Sequence, residues 1–198
     1  AYTAELAALD PLLATAVGIS GHDHLMTDFS PDGLAERAAL DRRTLKALAA
    51  TPPADQMDEI TAAAMRERLE VQVELYDAGE RFCDLNVIDS PLQGLRDVLD
   101  VMPTATTDDW ANIASRLSRV PDAIQGYIWS LREGARRGLV PAQLQVTEGI
   151  KQAAELAEQS SSFFVSFTAR ATPDGSPAEG PLAHDLARAG RAAATAYG

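Results

Sequence analysis

One cysteine, Cys83, occurs in 198 residues, so no disulfide can form within the chain. Such a sequence carries no adaptation to an oxidising compartment, and a cytoplasmic location is the expectation. Basic residues are also few, with 17 Lys and Arg against 29 Asp and Glu and a formal net charge of −12. That balance repels nucleic-acid phosphates and anionic lipid headgroups, so neither nucleic acid nor a membrane is expected as a partner. No apolar run nears the roughly 20 residues that a membrane-spanning helix needs.

The familiar catalytic spacings are missing as well. There is no H-E-x-x-H, C-x-x-C, phosphate-binding Walker loop, G-x-G-x-x-G or nucleophile elbow. Of the three histidines, His22 and His24 sit in a polar segment with Asp23 and Asp28, at a spacing that matches no helical ligand pair. His184 has no second ligand four residues on. No metal ligand and no catalytic residue is therefore assigned within this chain.

What is present is a helical protein. Hydrophobic residues make up 46% of the chain and charged ones 23%, a ratio that supports a folded core. Leu6, Leu9, Leu13 and Val17 recur at helical spacing, with a restart at Asp10-Pro11. Ser30-Pro31-Asp32 combines a cap, a first-turn proline and an early acid, and opens a helix that runs to about Ala50. The longest stripe spans Asp55 to Leu85 through Ile60, Ala64, Val71, Leu75, Ala78, Phe82 and Leu85, with Leu69, Val73 and Tyr76 widening it. Two apolar faces on one long helix predict a central position, with Cys83 as a small core residue.

Ser90-Pro91-Leu92-Gln93 has the form of a capping box. Thr107 is the expected cap of a short helix that turns Trp110, Ile113 and Leu117 inward. Val120-Pro121 starts another, in which Arg132, Arg136 and Arg137 favour the negative end of the helix dipole. Pro141 opens a helix toward Phe167 that is interrupted near Ser160-Ser161-Ser162. Residues 172–181 form a loop or linker before a terminal alanine-rich helix. No strand pattern occurs. The expected fold is all-α, a multi-helix array around a long central helix with no sheet, forming one helical domain over residues 1–198.

The most motif-like stretch is L-N-V-I-D-S-P-L-Q-G-L-R-D-V-L-D-V-M-P, residues 85–103. From Ser90 onward Leu92, Leu95, Leu99 and Met102 share one face, while Gln93, Arg96, Asp97 and Asp100 line the other. That polar face is either solvated or part of a cleft shared with another domain.

This stretch, with D-D-W-A-N-I-A-S-R-L-S-R-V-P and Y-I-W-S-L-R-E-G-A-R-R-G after it, resembles the N-terminal part of a bacterial family, domain of unknown function 885. The opening L-D-P-L-L-A-T-A-V-G-I-S-G-H-D-H and the following T-D-F-S-P-D-G are similar to the start of its actinobacterial members. The resemblance implies a much longer, mostly helical, zinc-metallopeptidase-like protein whose H-E-x-x-H lies in the C-terminal half. This chain would then be an N-terminal fragment, with zinc in the half not present here. Its expected partners are that catalytic half and a peptide-like or small-molecule substrate. Its expected role is a wall of the substrate cleft, for which Asn86, Asp89, Gln93 and Arg96 are the candidates. The alternative is a stand-alone helical binding or scaffold protein without catalytic activity.

Overall fold

The computed structural model describes residues 1–198. Ten α-helices and three short 3-10 turns make up its regular structure, with no strand. The helices are α1 (Tyr2–Leu9), α2 (Pro11–Ala16), α3 (Pro31–Ala50), α4 (Gln56–Ala78), α5 (Pro91–Asp97), α6 (Thr107–Leu117), α7 (Val120–Arg136), α8 (Gln143–Ala157), α9 (Phe163–Ala169) and α10 (Gly180–Ala196). The all-α class expected from the sequence is the class observed. No helix is long and apolar enough to cross a membrane.

Local chemistry accounts for most helix starts. Pro11 restarts the first helix after Asp10, whose carboxylate accepts from the Leu13 N–H at 3.2 Å. Ser30 caps α3 through the Gly33 N–H, and Asp55 caps α4 through the Asp58 N–H. At α5 the capping box closes as the sequence suggests, with Gln93 Oε1 accepting from the Ser90 N–H at 3.0 Å. At α6 the cap is Thr106 rather than Thr107: Asp109 reaches back to the Thr106 N–H at 2.8 Å and completes a second box. An acid three residues after Thr106 decides the boundary by one position.

The core holds Leu95, Val98, Leu99, Trp110, Ile113, Leu117, Val120, Ile124, Phe164 and Leu186, with Ala189, Ala193 and Ala194 among them. These residues come from α5 to α7, α9 and α10. At its centre is α10, which packs against α6, α7, α8 and α9. Its alanines are small enough for neighbouring backbones to approach closely. At Gly190 an added Cβ would fall inside 3.0 Å of Thr168 Oγ1 and the Phe164 carbonyl, which is closer than packed atoms can sit.

The expected central helix lies elsewhere. α4 packs on α3 and on the 3-10 turn Glu80–Phe82, and only Leu69 along it is buried. Met57, Ile60 and Val71 are 68%, 58% and 44% exposed, so the stripe through Ile60 and Val71 faces outward, while Leu69, Val73 and Tyr76 turn toward the rest of the chain. Nor does α4 reach Leu85. Gly79 adopts φ 85°, a left-handed conformation that suits glycine, and ends the helix there. Cys83 consequently leaves the helical stripe and lies half-buried after the 3-10 turn, not in the core.

Candidate functional site

Three of the four residues singled out from the sequence, Asn86, Asp89 and Gln93, are bonded together where α5 begins beside α8, and Arg96 lies further along α5. Asn86 is consumed by local geometry: its Oδ1 accepts from the Ile88 and Asp89 N–H groups at 2.8 and 2.7 Å, and its Nδ2 donates to the Asp89 carbonyl at 2.6 Å. Gln93 Nε2 donates to the Asn86 carbonyl at 2.9 Å and to Gln152 Oε1 on α8 at 2.6 Å. Gln152 Nε2 returns a bond to the Val87 carbonyl, and Gln145 Oε1 accepts from the Val87 N–H. These amides fasten the 85–90 loop between two helices.

Arg96 pairs with Asp97 and Asp100 and lies 4.1 Å from the Phe163 ring centre, a cation–π stack. Gln93 and Arg96, with Gln152, Glu155 and Phe163, line a shallow recess of about 330 Å³. Asn86 and Asp89 lie outside that recess. The Asp89 side chain is exposed and makes no hydrogen bond of its own. Of the four candidates, Asp89 alone presents an unpaired charge outward; the Arg96 charge is taken up by Asp97, Asp100 and the Phe163 ring, and Asn86 and Gln93 hold the corner in shape.

A larger cleft, about 410 Å³, opens between α1, α3, α4 and α7. Leu34, Leu69 and Tyr76 contribute apolar lining, and Arg37, Arg68, Arg81, Asp10, Asp41 and Asp84 contribute charge. The Tyr2 hydroxyl donates to Asp41 Oδ1 at 3.1 Å, and the Tyr127 hydroxyl donates to the Asp84 carbonyl at 2.5 Å. Burial raises the Asp41 carboxyl above its ordinary range, against the opposing pull of the Tyr2 hydrogen bond and the Arg81, Arg37 and Arg42 charges. Asp84 is raised for the same reason, while the Arg81 charge lowers it and Asp89 raises it further. Burial lowers the Arg37 guanidinium. Perturbed groups of both signs in this cleft make it the candidate binding site.

The 18–29 loop is held by a residue the sequence reading passed over. Arg116 on α6 is completely buried and donates to the Leu25, Pro11 and His22 carbonyls at 2.8, 3.3 and 2.9 Å, and to Thr15 Oγ1 at 2.8 Å. Burial brings its pKa down to about 10, with the Asp23 charge opposing. A signal for both Arg116 and Asp41 existed in the sequence. Each charge falls inside an apolar stripe, Asp41 with Leu34, Ala38 and Leu45, and Arg116 with Ile113 and Val120. A charge at such a position is either partnered or part of a site.

The residues do not form a zinc centre. Nowhere do three or more His, Cys, Asp or Glu side chains converge as a metal would require. His22 contributes its carbonyl to Arg116, and its Nδ1 is buried without a partner, while His24 is exposed. Arg136 and Arg137 both bind Glu133, and Arg137 covers the Phe82 ring at 4.2 Å. Trp110 is in the core and Trp129 is 53% exposed.

No curated protein matches the chain. One family does, over residues 11–198, a span that includes every helix from α2 onward and leaves α1 outside. By that match the chain belongs to the family described as bacterial protein of unknown function (DUF885).

Proposed function

We propose that this chain is the N-terminal helical part of a zinc-dependent, peptidase-like hydrolase, and that it forms a wall of the substrate cleft without holding the metal. The observation that carries this reading is the outward-facing apolar row along α4. It comprises Met57, Ile60 and Val71; on α8 and the turn before it, Val140, Leu144 and Ile150 are each 65–67% exposed. Scattered apolar residues are normal on a protein surface, as at Val140, Leu144 and Ile150, but the row along α4 marks a face that further protein covers. The resemblance of residues 85–103 and their neighbours to the N-terminal part of this family, for which a metallopeptidase-like C-terminal half is the expectation, supports the same reading. Within it, Asp89 is the free charge available to a substrate or to the neighbouring half, Asn86 and Gln93 hold the loop that carries it, and Arg96 reaches the recess with Asp97 and Asp100 attached.

The reading is tested on the purified chain by measuring bound zinc and chelator-sensitive hydrolysis of a peptide mixture. Neither is expected. Stoichiometric zinc together with hydrolysis that a chelator abolishes would place a complete active site here and remove the proposal.

A second reading, a helical binding protein without catalysis, draws on the charged cleft, which is assembled from α1, α3, α4 and α7 of this chain alone. It requires a ligand that binds the chain by itself.

A further inference from the structure

The large cleft holds charges of both signs, none of them closed into a direct ion pair. Arg37, Arg68 and Arg81 line it with Asp10, Asp41 and Asp84, a formal sum of zero. Elsewhere the chain pairs its charges freely, yet no ion pair in the molecule includes any of these six. Four of them have neutral partners. Arg37 donates to the Leu9 and Asp28 carbonyls, Arg81 to the Gln72 side chain, Asp10 accepts from the Thr27 hydroxyl, and Asp41 accepts from Tyr2. Arg68 and Asp84 have no side-chain partner at all, although Asp84 is half-buried.

Removing charge from water without pairing it is unfavourable, so the half-buried Asp84, which no side chain meets, has room for a cation, while the exposed Arg68 has its donors free for an anion. A net anion meets the three aspartates, and a net cation meets the three arginines. A ligand with separated positive and negative ends satisfies both sets at once. The apolar lining at Leu34, Leu69 and Tyr76 offers room for a hydrophobic side group, and a volume near 410 Å³ suits a small molecule.

We propose that the cleft between α1, α3, α4 and α7 binds a small zwitterion of the amino-acid class, its carboxylate at Arg68 and Arg81 and its ammonium at Asp84 and Asp41. The site belongs to the chain's own folded body and stands apart from the metal-hydrolase reading, which can fail without affecting it.

Calorimetric titration of the chain with each of the protein amino acids tests the proposal. At least one with an apolar side chain is expected to bind. For the best binder, the N-acetyl derivative removes the ammonium and the methyl ester removes the carboxylate. Each change is expected to weaken binding about tenfold, the worth of one charge-assisted hydrogen bond. Asp84→Asn and Arg68→Gln are expected to weaken the free amino acid by a similar factor. Neither side chain supports the fold through a hydrogen bond, so the helical circular dichroism of both variants should match that of the parent. The proposal is overturned if no amino acid binds at millimolar concentration, if the capped derivatives bind as tightly as the zwitterion, or if both variants leave affinity unchanged.

Discussion

Arg116 Nη2 donates to Thr15 Oγ1 at 2.8 Å, and the Thr15 hydroxyl in turn donates a hydrogen bond to Asp23 Oδ1 at 2.6 Å. This relay ties α6 to α2 and to the loop that follows, and it brings a counter-charge toward a guanidinium with no solvent exposure. Replacing Arg116 by alanine removes its hydrogen bonds to three carbonyls and a hydroxyl and opens a cavity. A loss of about 4 kcal/mol is expected in denaturant unfolding. Lysine keeps the charge but not the fork of donors, and Arg116→Lys should cost about 2 kcal/mol.

The two tryptophans should separate sharply. Trp110 is 4% exposed, donates to the Thr104 carbonyl at 2.9 Å and packs 5.3 Å from the Phe167 ring. Its replacement by alanine is expected to remove about 3–5 kcal/mol of stability. The same change at the half-exposed Trp129 should stay within about 0.5 kcal/mol. Unfolding curves of the two variants compare them directly.

Gly134 on α7 faces the backbone of the 3-10 turn, where an added Cβ would fall well inside 3.0 Å of the Phe82 carbonyl. The obstacle is main chain and cannot rotate away. Gly134→Ala is expected to cost about 2–3 kcal/mol despite alanine's better helix propensity, because overpacking outweighs it. Thermal unfolding reads the loss.

Stability should carry a pH signature from Asp41. Burial raises its pKa in the folded chain above the ordinary value of 3.8, so the folded state holds that proton more tightly than the unfolded state does. The resulting contribution is full below the ordinary value and is lost as pH rises through the raised one. Asp41→Asn cannot ionise and keeps an acceptor for the Tyr2 hydroxyl. The difference in melting temperature between variant and parent should therefore shift in the variant's favour as pH rises from acid to neutral. A difference that stays constant across that range would mean Asp41 is not desolvated.

The helix boundaries were legible wherever capping chemistry is local, as at Asp10-Pro11, Ser30-Pro31 and Ser90 to Gln93. The identity of the central helix was not. Large apolar residues on α4 suggested burial from many sides, but periodicity records only that a face is apolar, not what covers it. The alanines of α10 gave a weaker hydropathy signal, yet small side chains are what allow four helices to crowd one axis. Gln93 and Arg96 were found because a capping box and a polar helix face are short-range patterns. The charged cleft draws Tyr2, Asp41, Arg81 and Tyr127 from four separate parts of the chain, and only folding brings them together.

The coding sequence downstream of Gly198 tests the central claim most directly. The account predicts that it continues and that a later helix carries H-E-x-x-H, which would make the present helices the non-catalytic part of a metal hydrolase. A stop codon immediately after Gly198 would contradict that account and leave a helical binding protein whose charged cleft is its working site.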